Sequence, residues 1–328
     1  MASRLQRQLQ LLTAHLVVAL VALVVIGGAT RVMQAGLACP DWPLCYGSLL
    51  PGHQMNLQVF LEWFHRLDAF VVGMGVLVLA TTAVVQRQQL PRWLPWLSGA
   101  CLFLVAFQGA LGALTVTLLL PPAIVTAHLA TALLLVMLVS VCHQLLEAGA
   151  APLRPEPLAG RSAALAWPTP PPWWPWLAGL ATVLVAAQSL LGGLMATQWA
   201  ASLCFSAGSG CAWLGAHRFA ATPAALGVLL LAVLTALSAG WCRQQRPLTT
   251  TAALLVIFQI GLGVSSLRLQ LAVPGVTIAH QLVAALLLAI LAALTCRGWL
   301  GLVAQPISAS APEPRSVLSP SPAEVVHG

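Results

Sequence analysis

Eight separate stretches of about 20 apolar residues dominate this sequence, and each is long enough to cross a lipid bilayer as an α-helix. Only 6% of the 328 residues are charged, whereas a soluble domain carries about a quarter. The sequence therefore predicts an all-α polytopic membrane protein with eight transmembrane helices. The predicted spans are residues 10–30, 59–86, 95–116, 123–146, 174–195, 214–240, 249–268 and 276–296.

The placement of arginine predicts the orientation of these helices. All 14 basic residues are arginines, and they lie mostly in the short connections between apolar stretches. With a cytoplasmic N-terminus, ten of them lie on the inner side, as the positive-inside rule requires. The remaining four, which then lie outside, are Arg31, Arg66, Arg218 and Arg268.

The same features define the environment of the protein. The first apolar stretch has no small-residue cleavage site after it, so it is expected to be a retained helix in contact with lipid. With no room for a transit peptide before it, a bacterial plasma membrane is the expected location. No basic patch with interleaved aromatic residues occurs, which argues against a nucleic-acid partner.

The two halves of the chain repeat each other. His65 and His128 are 63 residues apart, and so are His217 and His280, which gives both pairs an offset of 152. Because each half has an even number of helices, both halves enter the membrane from the same side. The prediction is therefore two parallel four-helix-bundle repeats, related by an axis along the membrane normal.

The repeat also sets the predicted domain boundaries. The first half covers residues 1–146, and the second covers 174–297. Between them, residues 147–173 are rich in Pro, Ala and Arg and predict a flexible cytoplasmic linker. Residues 298–328 are rich in Ser, Pro and Ala and predict a disordered cytoplasmic tail.

Four histidines are candidate ligands because each lies a few residues inside the outer end of an even-numbered helix. A lone membrane histidine is often only hydrogen-bonded to a neighbouring helix. Four at one depth, in two symmetric pairs, favour ligation instead. Zinc or copper would usually need closer spacing or added carboxylates, whereas two imidazoles on facing helices suit the axial ligands of a haem. The predicted pairs are His65 with His128, and His217 with His280.

Only the first pair has an acid beside it. Glu62 lies three residues before His65 and shares its helix face. Asp68 lies one turn deeper and is the second candidate acid. This asymmetry predicts one reactive site in the first half and one structural or electron-carrying haem in the second. Three arginines near the outer face are either partners of haem propionates or simple topology signals, and these are Arg31, Arg66 and Arg218.

Two pairs of cysteines share outside loops, where oxidising conditions allow disulfides. Cys39 and Cys45 form one pair, and Cys204 and Cys211 form the other. A structural staple and a redox-active pair beside the reactive site are the two alternatives, and the staple is favoured. Separately, three glutamines lie four residues before a glycine in odd-numbered helices and are expected to bond across helix interfaces. These are Gln108, Gln188 and Gln259.

At this point several motifs resemble a known family, that of haem A synthase of the CtaA type. The resemblance covers about residues 10–297 and departs at Asp68-Ala69, where family members often have Gly-Arg. The motifs are Gly27-Gly28-Ala29-Thr30-Arg31, the Cys39–Cys45 loop, Glu62-Trp63-Phe64-His65-Arg66, and the three later histidines.

The resemblance implies an oxidoreductase that converts the C8 methyl group of haem O into the formyl group of haem A, for haem-copper terminal oxidases. It implies substrate haem at His65 and His128, a haem b cofactor at His217 and His280, and a catalytic Glu62. It also implies a disulfide between Cys39 and Cys45. Haem O synthase is an expected partner, the electron acceptor is not identified, and a homo-oligomer is left open.

Two other functions compete with this one. A di-haem b-type cytochrome would use the same histidine pairs for electron transfer, but it does not explain why Glu62 and the Cys39 loop occur in one half only. A small-molecule transporter would suit the parallel repeat, but no discontinuous helix occurs near the middle of the membrane.

Overall fold

The structure is a computed structural model in which residues 4–150, 169–197 and 211–303 are described. The described residues contain eight long apolar helices, so the predicted all-α polytopic membrane protein is confirmed. The cytoplasmic N-terminus and the parallel relation of the halves stay predictions. The helices are α1 (Arg4–Val32), α2 (Leu57–Val85), α3 (Leu94–Thr117), α4 (Pro122–Ala150), α5 (Trp174–Met195), α6 (Ala212–Leu237), α7 (Trp241–Arg268) and α8 (Pro274–Val303).

Two helices extend well beyond their predicted spans. α7 begins at Trp241 rather than at residue 249, because Gly240 adopts a positive φ of 63° and turns the chain directly from α6 into α7. Arg246, in the second turn of α7, donates hydrogen bonds to the carbonyls of Ala236 and Ser238. A basic side chain thus satisfies carbonyls at the end of α6, which hydropathy alone does not reveal. α8 continues to Val303, past the predicted boundary at residue 297.

The helices form two bundles that share a central wall. α1, α4, α5 and α8 lie at the middle, while α2 and α3 flank one side and α6 and α7 flank the other. α8 packs into both cores, since Ala285 and Ala289 belong to the first and Leu287 and Leu291 to the second. Its position explains why α8 is the most buried of the eight helices.

Large apolar side chains cover the outside of the bundles. Phe70 on α2, Phe103 on α3 and Phe219 on α6 are each more than half exposed. In water such a surface would drive association, but in a bilayer it is the expected contact with lipid tails.

The first turn of α5 packs against the end of α8 at a glycine, Gly298. A methyl group added at Gly298 would lie 2.4 Å from Cδ1 of Trp174 and 3.2 Å from Cα of Pro175. Trp174 is 0% exposed and donates a hydrogen bond to the carbonyl of Leu294, so it cannot move aside. Gly298 lies past the predicted boundary at residue 297, so the extension of α8 packs against α5.

We therefore expect Gly298→Ala to lower the free energy of unfolding by about 1–3 kcal/mol, as other overpacked cores do. Thermal unfolding of the purified protein in detergent measures the change. Gly261→Ala is the control, because a methyl group there would meet nothing within 4 Å. Equal melting temperatures for the two variants would contradict the close packing of α5 on α8.

Candidate functional site

The four candidate histidines lie at one end of the bundle. We call it the loop end, because it carries the loop closed by Cys39 and Cys45. Each histidine lies within about two turns of the first residue of α2, α4, α6 or α8. All four side chains are partly buried. Equal depth was the property that the sequence predicted for them.

Each histidine ring lies against a glycine of the preceding helix. A methyl group at Gly27 would come within 2.8 Å of Cε1 of His65, and one at Gly192 would come equally close to Cε1 of His217. Side-chain carbons do not approach that closely, so in these two pairs the ring occupies space that only glycine leaves free. The four pairs are Gly27–His65, Gly112–His128, Gly192–His217 and Gly263–His280.

Three of these glycines follow a glutamine by four residues, and the glutamine bonds to the histidine helix. Gln108 Nε2 donates to the backbone carbonyl of His128 at 2.9 Å, and Gln188 Nε2 donates to that of His217 at 2.9 Å. Gln259 Nε2 lies 3.4 Å from the ring of its partner histidine. The predicted bonding across helices is present. The sequence did not reveal that the partner is the histidine itself, although the constant Gln-to-Gly spacing was a signal of it.

The second histidine pair fits a shared metal. The ring centroids of His217 and His280 are 6.5 Å apart. A metal–imidazole nitrogen bond is about 2 Å, and each ring centre lies about 1 Å beyond its nitrogen, so a shared metal needs centroids about 6 Å apart. Among the described residues no group of three His, Cys, Asp or Glu side chains could hold a metal. Two imidazoles per site therefore suit an iron whose other ligands come from a porphyrin.

In the first pair, the ring of His65 lies against Gly27 and the ring of His128 lies against Gly112. The Nδ1 atoms of His65, His128 and His280 are buried and have no hydrogen-bond partner among the described residues. Buried polar atoms are normally partnered, so unpartnered ring nitrogens are compatible with a binding role for these side chains.

Glu62 is buried beneath the loop, and both of its oxygens are engaged. The residue is 5% exposed. Oε1 accepts a hydrogen bond from Nη2 of Arg66 at 2.5 Å, and Oε2 accepts one from the backbone N–H of Cys39 at 2.8 Å. Glu62 therefore attaches the loop to the first turns of α2. Its catalytic role stays a prediction.

Arg66 completes this attachment. It donates to the backbone carbonyl of Asp41 at 2.6 Å and to the carbonyl of Leu44. The predicted disulfide between Cys39 and Cys45 is confirmed, and both cysteines are buried. The guanidinium of Arg66 thus joins the buried carboxylate of Glu62 to two backbone carbonyls of the loop.

The other predicted residues lie in different settings. Arg31 donates to the carbonyl of Gly193 at 3.3 Å, which links α1 to α5 across the two halves. Arg218 is exposed. Propionate contacts of these arginines stay predictions. Cys211 is disulfide-bonded, but its predicted partner Cys204 lies outside the described residues.

Asp68 differs from Glu62 in its surroundings. Its Oδ2 atom is buried and makes no hydrogen bond within the described ranges. A carboxyl group without a partner inside a membrane helix is costly and usually marks function.

Fold and site together define a class of protein. It is a multi-pass membrane protein with two helix bundles, and each bundle places two histidines at the loop end. The loop closed by Cys39 and Cys45 is attached to the first bundle through Glu62 and Arg66. The model of the COX15-CtaA family, described as cytochrome oxidase assembly protein, matches residues 10–292, and the chain belongs to this family.

Individual relatives agree with this assignment. The haem A synthase of Shewanella oneidensis is 30% identical over 198 residues, which are 55% of this chain and 54% of that protein. The alignment therefore spans only about half the length of that relative. The haem A synthase of Caulobacter vibrioides is 29% identical over 84% of this chain and 92% of its own length. A protohaem IX farnesyltransferase of Haloarcula marismortui is 37% identical over 62 residues, or 19% of this chain.

The loop contacts generate a prediction about Arg66. Lysine keeps the charge but cannot reach a carboxylate and two carbonyls at once. We expect Arg66→Lys to make the Cys39–Cys45 disulfide about tenfold more reactive toward a mild reductant, since lost hydrogen bonds are worth about 1 kcal/mol each. Alkylation of the released thiols measures the rate. The control is Arg218→Lys at the exposed counterpart position, and equal rates in the two variants would contradict the anchoring role.

Proposed function

We propose that this protein is a haem A synthase, which oxidises the C8 methyl group of haem O to a formyl group. The observation that carries the proposal is the asymmetry of the two bundles. Both have paired histidines backed by glycines, but among the described residues only the first has a buried carboxylate, Glu62, beside its histidines. An electron-transfer cytochrome has no need for that difference, whereas an enzyme with one substrate site and one cofactor site does. Membership of the cytochrome oxidase assembly family supports the same choice.

In this proposal His65 and His128 hold the substrate haem, and His217 and His280 hold haem b. The second pair suits a permanent group, because Gln188 and Gln259 reach both of its histidines from the neighbouring helices. Haem b, when bound, supplies an iron that takes up and passes on single electrons. The protein's own groups position the two rings of each pair and exclude water from them.

Glu62 is the proposed catalytic residue of the first bundle. Its contacts support a role in aligning the loop above His65, since Oε2 is bonded to Cys39. We further propose that Arg31, Arg66 and Arg218 pair with haem propionates. In the second half, Leu214 stands at the position that matches Glu62, and leucine has no carboxylate.

The proposed setting follows from the predicted topology. The protein spans a bacterial plasma membrane with a cytoplasmic N-terminus, and the loop end with its haem sites faces outward. Haem O synthase is the proposed source of the substrate, and the short similarity to a protohaem farnesyltransferase supports that link.

Haem extraction tests the function. Membranes from cells that express the protein together with haem O synthase are extracted, and the haems are separated by chromatography. We expect haem A to appear with the native chain and to be absent with the paired variant His65→Ala/His128→Ala, in which haem O remains. Haem b alone in the native sample would overturn the proposal and favour the di-haem cytochrome.

The cofactor site has its own test. We expect His217→Ala or His280→Ala to remove the low-spin b-type absorbance of the purified protein, because each variant would delete one of the two residues proposed to hold the haem. His53→Ala is the control, since His53 is exposed in a short 3-10 turn outside the bundles. Retention of the signal in both single variants would show that the second pair does not hold haem b.

A further inference from the structure

The four helix pairs follow one pattern at the loop end, and the first pair departs from it twice. In α3, α5 and α7 a glutamine precedes the glycine by four residues. In α1 the same position, four residues before Gly27, is Leu23. The first histidine helix therefore receives no amide from its neighbour at this place.

The second departure is an acid three residues after the histidine, at a position that is uncharged in the other three pairs. In α4 this position is Thr131, whose Oγ1 accepts a hydrogen bond from Gln108 Nε2 at 2.8 Å. That contact shows that the glutamine position and the position after the histidine face each other across the helix pair. In α2 the corresponding residue is Asp68, while α6 and α8 have Ala220 and Val283.

The two departures meet at one place. The arrangement of α3 and α4 implies that Leu23 and Asp68 face each other across α1 and α2. Leucine offers no hydrogen-bonding group, and the unpartnered state of Asp68 Oδ2 agrees with this placement. The carboxylate of Glu62, by contrast, is occupied by Arg66 and Cys39.

The proposed reaction needs a proton acceptor near this position. With water as the oxygen source, one methyl group and one water molecule give a formyl group, four protons and four electrons. A lipid-soluble electron carrier takes the electrons. The protons must leave an apolar environment, where few groups can accept them.

We propose that Asp68 accepts protons released during oxidation at the first histidine pair, and that Leu23 keeps its carboxyl group free to do so. The inference rests on the proposed function and deepens it. Asp68 lies one turn after His65 on the same side of α2, farther along the helix from the loop than Glu62 is. No acid occupies the matching position of the other three pairs, in line with chemistry at the first pair alone.

The test compares variants of the full-length protein during co-expression with haem O synthase and in turnover with added haem O. We expect Asp68→Asn to lower kcat by about 10²–10⁴, the usual worth of a positioned acid or base. The KM for haem O and the b-type absorbance should stay unchanged. Asp68→Glu should recover part of the rate, because it keeps the carboxyl group. A rate for Asp68→Asn within twofold of the native value would overturn the proposal.

A second variant covers the case in which Asp68→Asn does not fold. Leu23→Gln/Asp68→Thr recreates the Gln108–Thr131 contact in the first pair and should be a stable, haem-loaded and inactive protein. Leu23→Gln alone should reduce the rate by giving Asp68 an amide partner. Normal activity of the double variant would overturn the proposal. Ser98→Ala, which alters a buried hydroxyl elsewhere in the first bundle, is the control expected to keep native activity.

The outcomes separate this inference from the proposed function. If the native chain makes haem A and the Asp68 variants do so equally well, the function stands and the role of Asp68 falls. If the native chain makes no haem A, the function itself falls. Glu62→Gln provides a further contrast, since we expect it to expose the Cys39–Cys45 disulfide to reductant, whereas Asp68→Asn should not.

Discussion

The contact between a histidine ring and a glycine is the interaction on which the site depends. The ring lies where a side chain would otherwise begin, so the backbone of the odd-numbered helix sets its position and limits its rotation. In the first and third helix pairs even a methyl group would collide with Cε1 of the ring. Hydrophobic attraction contributes little between helices in lipid, so close packing of this kind must supply much of the association. The same contacts that hold the bundles together therefore also orient the candidate ligands.

Polar groups break the symmetry that this packing creates. Glu62 and Arg66 neutralise each other and together bond to three backbone groups of the loop, which makes a buried charge pair tolerable. Asp68 has no such compensation. A membrane protein bears the cost of an unpartnered carboxyl group only where the group has a task. The first bundle carries both kinds of acid, and this difference supports the proposed reactive site there more strongly than the histidines do.

Much of this could be predicted from the sequence, because the dominant signals are long-range and simple. Apolar length located all eight helices, and the 63-residue spacing located the four histidines. The start of α7 at Trp241 was missed, since Arg246 makes the segment look like a polar connection although its guanidinium satisfies carbonyls of α6. The setting of Glu62 was also missed. Its spacing from His65 indicates a shared helix face. Only the three-dimensional path of the loop shows that the backbone N–H of Cys39 donates a hydrogen bond to the Glu62 carboxylate.

The two sites are also joined through a short chain of contacts. Gly27 lies against His65, while the next residue, Gly28, lies against the side chain of Gln281. Gln281 follows His280 directly, so two adjacent glycines of α1 touch the helices that carry a histidine of each pair. A side chain at Gly28 would overlap the amide end of Gln281, which would then have to move. Electron transfer between two haems requires a fixed and short separation. In the proposed enzyme that separation would depend on the packing of α1 against α8, which includes the contact of Gly28 with the Gln281 side chain.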